Sequence, residues 1–403
     1  MNVKKKRRKG VKISQLNVVS LRKHKVEVAK LMHDHQLDIL GLNETRLKKD
    51  IQDCEVSIEG YDIYRHDRNT SGGGVALYIK NTLPHHKRDD VKDPNLEIVG
   101  IELTPKHAKS YIVLCWYRPP TEGTDISTFE ALTKLIKRLD AEGKEIILVG
   151  DTNSDYKKPK DCNTRKLKLI YSEFQFEQLI TEFTRVATTT SSNGETSTTK
   201  TIIDHLSTNR PNFISNSGVI KIGMTDHYMI FGVRKLNAKL QVTRKQIKTE
   251  FRSMRNYDRE AFLFDLQSVD WEIATSTAWD DPNVMANNFY DLFHSILDVH
   301  APLKTRKNMT RHAPSPWITP HIKNLIRERD RAKNRAEKDS LIWPEYKRLR
   351  NRVTSELRRA VEGYYRNLID ENSNNPKEMW KTINKVLNKN QCSTTPRSVM
   401  YEG

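Results

Sequence analysis

Along residues 11–235, short apolar runs alternate with segments whose apolar positions recur every three or four residues. The runs 11–18 (VKISQLNV), 37–45 (LDILGLNET), 72–79, 96–103, 110–117, 145–151 (EIILVGD), 201–209 and 229–235 are rich in Val, Ile and aromatics and predict strands. Residues 22–36, 125–140 and 164–176 predict helices. The second of these places Phe129, Leu132, Ile136 and Leu139 at helical spacing. Residues 187–200 (ATTTSSNGETSTTK) predict a polar loop. The pattern changes near 236 and is helical from about 256 to 389. There, Trp343, Tyr346, Leu349, Val353, Leu357, Val361, Tyr364 and Leu368 form one apolar stripe with basic flanks. The chain therefore divides into a basic tail (1–10), an α/β segment (11–236) and an all-helical segment (237–403).

Charge adds a partner to this picture. The formal net charge is +18 and is unevenly spread. KKKRRK (4–9) carries six cations, and 323–366 holds 14 Lys and Arg against seven Asp and Glu. A concentrated positive field suits a polyanion such as nucleic acid. The run 4–9 also has the form of a nuclear import signal. No apolar run reaches membrane-spanning length, and no apolar stretch follows the basic N-terminus as in a secretory signal, so an intracellular, non-membrane protein is expected. Cys54, Cys115, Cys162 and Cys392 lack metal-type spacing and read as reduced thiols.

Candidate chemistry gathers at the strand ends. QLN ends on Asn17, GLNET contains Glu44, CWYRPP contains Tyr117, and VGDTN contains Asp151 and Asn153. IIDH supplies Asp204, and TDH supplies Asp226 and His227. In layered α/β proteins, strand ends converge on one rim. Carboxylate oxygens suit Mg²⁺, which takes one or two protein carboxylates and keeps several waters. Phosphodiester hydrolysis needs charge neutralisation, a deprotonated water and a stabilised leaving oxygen, and this set has groups for each. Taken singly, each residue also fits a turn, a cap or a structural role; their joint order along the chain favours chemistry.

In that order, QLNVVSL, LDILGLNETRL, SGGGVALYIK, CWYRPP, VGDTNSD, TIIDHLSTN and TDHYMI resemble the endonuclease/exonuclease/phosphatase superfamily. The resemblance is nearest to the endonuclease domain of LINE-type (non-LTR) retrotransposon polyproteins. It implies a DNase I-like four-layer α/β/β/α sandwich. It implies that Glu44 and Asn17 lie at a Mg²⁺ site that also accepts Mn²⁺. Asp151 would act on the attacking water, and Asn153 would hold the water and the phosphate. Tyr117 would lie beside the scissile phosphate. Asp226 and His227 would form the family's terminal Asp-His pair, in which His227 would stabilise phosphoryl charge, and Asp204 would orient the imidazole. Thr190, with Thr189 as the alternative, would bind phosphate. Thr152 and Thr225 depart from the family's usual apolar residue and Ser.

The helical segment resembles the linker that precedes reverse transcriptase in such elements, although no Tyr-x-Asp-Asp polymerase motif occurs. The implied function is a Mg²⁺-dependent DNA endonuclease that leaves a 3′-hydroxyl and works in the nucleus or cytoplasm. Its expected partners are double-stranded DNA and, through 318–390, the element's own RNA. A phosphatase of the same superfamily and an inactive nucleic-acid-binding remnant are the alternatives.

Overall fold

The computed structural model describes residues 10–68, 72–105, 108–120, 125–190, 196–235, 247–254, 257–271, 282–308, 315–373 and 375–386. The basic run 4–9 and Cys392 lie outside them.

The first sheet is built from β1 (Gly10–Asn17), β2 (Ile39–Asn43), β3 (Tyr61–His66), β4 (Val75–Lys80), β13 (Ile214–Ile220) and β14 (Met229–Lys235), in the order β13-β14-β1-β2-β4-β3. The second contains β5 (His85–Lys87), β6 (Glu97–Leu103), β7 (Tyr111–Tyr117), β8 (Glu145–Asp151), β9 (Glu177–Gln178) and β12 (Asp204–Thr208), in the order β5-β6-β7-β8-β12-β9. Among the described residues, only β1–β2 and β7–β8 pair in parallel.

Period two explains why these strands read as continuous apolar runs. In β7, Val113 and Cys115 point between the sheets, where they meet Ile13, Ile39, Leu77, Val149 and Leu206. Ile112, Leu114 and Trp116 point the other way, onto α3 (Ile126–Asp140) and α4 (Cys162–Glu173). On the far face of the first sheet, α1 (Leu21–Asp34) buries Leu21, Val28 and Met32 against Leu40, Leu42 and Tyr78. The result is four layers, α/β/β/α. Asp125 and Asp161 cap α3 and α4 by accepting from Thr128 N and Thr164 N, which fixes where each helix starts.

Two local features differ from the sequence expectation. Residues 187–200 are not wholly a loop, because β10 (Arg185–Thr190) and β11 (Thr196–Thr201) pair as a hairpin. Alternating Thr favours strand once a partner is present. Among the described residues after 236, helices are joined by a second hairpin, β15 (Ile247–Arg252) with β16 (Leu303–Asn308).

Compactness groups the chain as 1–240 with 312–403, and 241–311 separately. The smaller unit holds its hairpin, α5 (Arg259–Gln267) and α6 (Pro282–His300), with Phe262 edge-on to Phe293. In the larger unit, α7 (Pro320–Ala336) and α8 (Trp343–Glu371) pack back on the sandwich. The front of the apolar stripe, Trp343, Tyr346 and Leu349, is buried with Val186 and Tyr228. A short helix, α9 (Pro376–Val386), follows. No described helix is long and apolar enough to cross a membrane.

Candidate active site

The site is the polar end of the inter-sheet core. Side chains on one face of a strand recur every second residue. Val11 and Ile13 point between the sheets, so Gln15 and Asn17 follow them inward. By the same count Ile39 leads to Asn43, Cys115 to Tyr117, Val149 to Asp151, and Leu206 back to Asp204. Strand register aligns these positions. Asn17 pairs opposite Asn43, and Asp151 lies opposite both Tyr117 and Asp204. Gly150 makes the last step possible: a Cβ there would sit 1.9 Å from Trp116 O.

Hydrogen bonds then join the two sheets. Asn17 Nδ2 donates to Asp151 Oδ2 at 2.8 Å and to Glu44 Oε1 at 3.0 Å. Tyr117 Oη donates to the same Glu44 oxygen at 3.4 Å, and Arg46 holds the other at 2.9 Å. Glu44, just past β2, has φ 49, a left-handed conformation that costs a non-glycine residue about 1–3 kcal/mol. Burial pulls its carboxyl up, but Asn17 and Arg46 outweigh burial and hold it below the usual range.

The histidine comes from the loop before β14. Asp204 Oδ2 accepts from His227 Nδ1 at 2.9 Å, and Asp204 Oδ1 accepts from Gln15 Nε2 at 3.0 Å. That bond turns His227 Nε2 towards Asp151 Oδ2, 3.9 Å away. Burial disfavours the imidazolium, yet Asp204 and Asp151 reverse this and raise its pKa. Burial first, and Asp204 second, raise the pKa of Asp151. A poised imidazole thus faces a carboxylate of increased basicity, an arrangement suited to moving protons and meeting anionic charge.

Not every expected residue joins this network. Asn153, with φ 45, sits in the following turn; its backbone N–H donates to Asp151 Oδ1 at 3.0 Å and its amide donates to Arg118 O at 2.7 Å. Asp226 turns to Arg185 Nε at 2.7 Å. Burial would lift the Asp226 pKa, but His227 and Arg185 bring it below the ordinary value. Thr189 is exposed on β10, and the side chain of Thr190 lies outside the described residues. His205 faces the outer layer, near Tyr171 Oη at 3.4 Å.

Sequence reasoning passed over four supporting residues. Asn43 Oδ1 accepts from Asp151 N at 3.0 Å and from Gln15 Nε2 at 2.6 Å. Arg118, almost fully buried, donates to Thr152 O at 2.7 Å and Asn153 O at 2.9 Å, tying down the turn after Asp151. Thr184 Oγ1 accepts from Asp204 N at 3.1 Å. Gln15 and Asn43 continue the inward faces begun by Ile13 and Ile39, a signal that gains meaning only once the strands are placed face to face.

Among the described residues, Asp151, Asp204 and His227 form one group whose possible ligand atoms lie within 4.8 Å of one another. His227 Nδ1 and Asp204 Oδ2 already satisfy each other, so this trio makes a poor cage. The oxygen donors of Glu44 and Asp151, drawn together by Asn17, fit a hard divalent cation better.

The endonuclease/exonuclease/phosphatase family model matches residues 14–227, the stretch that contains all of these groups. The chain belongs to this family. Among solved structures, this family member is similar to the endonuclease domain of TRAS1, a telomere-specific non-LTR retrotransposon. Identity is 13% and the TM-score 0.45, over 56% of this chain and 99% of that one. It is also similar to the 3′-5′ exonuclease NExo from Neisseria meningitidis, at 17% identity and TM-score 0.44, over 56% and 100%. An AP endonuclease from Archaeoglobus fulgidus shows 16% identity and TM-score 0.42, over 56% and 100%. No curated protein matches the chain.

Proposed function

We propose that this family member is a DNA endonuclease dependent on Mg²⁺, or Mn²⁺ in its place, that hydrolyses a phosphodiester and leaves a 3′-hydroxyl. One observation carries the proposal: His227, fixed by Asp204, faces Asp151, which Asn17 ties to Glu44. With an oxygen of Asp151 beside them, Glu44 and Asn17 would hold the cation. When bound, it supplies Lewis-acid neutralisation of phosphate charge. Asp151 takes a proton from the attacking water, and its increased basicity suits that task. The water oxygen joins phosphorus, the P–O3′ bond breaks, and the departing O3′ takes a proton from solvent. His227 donates to the phosphoryl oxygens as charge builds, and Asp204 keeps its tautomer and direction. Tyr117 and Asn153 flank the phosphate, Thr190 binds a neighbouring one, and Asp226 anchors the turn through Arg185.

Double-stranded DNA is the partner best supported by the excess of cations. Basic residues of 318–390 offer a second surface for RNA, although Arg329 and Lys333 are buried and serve the fold instead. The run 4–9 supports a nuclear location. A fluorescent fusion lacking 4–9 that still concentrates in the nucleus would remove that support. A LINE-type origin is supported by the ordered motifs.

The deciding experiment offers purified protein supercoiled plasmid, inositol phosphates and nucleotides in Mg²⁺ buffer. Nicked circles whose ends a DNA polymerase extends without treatment support the proposal. Release of inorganic phosphate from the small molecules with intact plasmid supports the phosphatase alternative. DNA binding without either reaction supports the inactive remnant.

A further inference from the structure

The loop that carries His227 is held from two sides. From the sandwich, Asn17 O accepts from Thr225 Oγ1 at 3.1 Å, and within the loop His227 N donates to the same hydroxyl at 3.2 Å. From the opposite side it meets α7 and α8, more than a hundred residues later in the chain. Lys333 Nζ donates to Thr225 O at 2.5 Å and Ile222 O at 3.1 Å. Tyr346 Oη donates to Gly223 O at 3.1 Å and approaches Thr225 O at 3.4 Å. Asp330 Oδ1 accepts from Gly223 N at 2.8 Å and is gripped by Arg329, which also pairs with Glu27 on α1 at 2.6 Å.

Lys333 is 1% exposed, and its ammonium stands 4.1 Å from the centre of the Tyr228 ring. Burying an amine this deeply is unfavourable unless it satisfies groups that otherwise lack partners. Carbonyls of an irregular loop are such groups, because no strand ladder reaches them. An apolar residue at 333 would pack as well, so the amine's two carbonyl bonds are what distinguish it. Burial lowers its pKa to about 7, with Asp226 opposing.

We propose that Lys333 and Tyr346 are positioning residues for His227: the α7–α8 pair is a working part of the nuclease site, clamping the Ile222–Thr225 backbone from which the imidazole is aimed at Asp151. This rests on the nuclease reading for its kinetic consequence but not for its structural one. The helices expected to bridge to another domain therefore act on the catalytic loop. Displacing that loop by about 1 Å is enough to cost on the order of 100-fold in rate.

The test uses the full chain with Tyr346→Phe, Lys333→Met and, as a control, Glu345→Gln, whose exposed carboxylate pairs with Arg335. Two readouts are taken: plasmid-nicking kinetics, and the nuclear magnetic resonance signal of the His227 Nδ1–H proton without metal or DNA. Tyr346→Phe removes one oxygen and is expected to melt within a few degrees of wild type. It should shift the His227 signal and lower kcat about 10-fold while KM changes less than about 2-fold. Lys333→Met should do the same more strongly, and Glu345→Gln should change neither readout. A folded Tyr346→Phe with the wild-type His227 signal overturns the proposal whatever the activity. A wild type that cuts nothing, beside variants that still shift the signal, removes the nuclease reading and leaves the clamp.

Discussion

Asp151 and Asp204 stand directly opposite each other across β8 and β12, 1% and 0% exposed. Like charges facing across strands oppose folding. Here Asn17, the Asn153 backbone N–H, Gln15 and His227 offset part of that cost. The placement is intelligible as stability given up for a site that handles protons and cations. Asp151→Asn should therefore raise unfolding stability by about 1 kcal/mol at about pH 8 without metal, while abolishing cutting. Urea melts with and without Mg²⁺ check this. Added Mg²⁺ should stabilise wild type and narrow the gap; a less stable variant in metal-free buffer contradicts it.

Arg118 fixes the turn after Asp151 through two backbone carbonyls. Hydrogen bonds from a charged donor contribute about 1.5–3 kcal/mol, so Arg118→Met should lower stability by at least about 2 kcal/mol. It should also slow cutting about 10-fold or more by loosening Asn153. Chemical melts and single-turnover nicking measure both, and wild-type values for either argue against this anchoring.

Gly150→Ala probes how closely β7 and β8 approach. The added side-chain carbon would meet the backbone oxygen of Trp116 at 1.9 Å, an atom that cannot swing away. The strands must separate, at a cost of about 3 kcal/mol or more. A variant that melts like wild type would show that the strands run further apart than described.

Acid stability follows from two buried histidines. Burial, with Lys23 and Arg329 adding repulsion, lowers the pKa of His24 to about 3. Burial lowers that of His205 to about 4. Their ordinary value is 6.5, so the unfolded chain binds more protons than the folded one below it. Stability from these groups is complete above about 6.5 and is lost as pH falls towards about 4 for His205 and about 3 for His24. Melting temperatures measured over that window should fall, and less steeply in His24→Leu. Parallel slopes for the two proteins would contradict the assignment.

Much of the sandwich was legible because both faces of strands such as β7 are buried, so Tyr111–Tyr117 reads as one apolar run. The strand-end carboxylates were legible because they interrupt those runs. The inward amides were harder to see. Gln15 and Asn43 become site residues only once β1, β2, β7 and β8 are placed face to face. Thr188 pairs with Thr198 on a hairpin, yet residues so polar read as loop until the partner strand is known. Lys333 looked like one cation among many on a basic helix. Its burial depends on a partner 108 residues earlier, at Thr225, and no local pattern signals that distance.

The central claim is that Glu44, Asp151 and His227 serve one reaction. Single-turnover nicking of supercoiled plasmid, run side by side for wild type, Glu44→Ala, Asp151→Ala and His227→Ala in one Mg²⁺ buffer, tests it most directly. Each variant should fold and bind DNA yet lose at least about 100-fold in rate. Any one of the three cutting as fast as wild type would contradict the account.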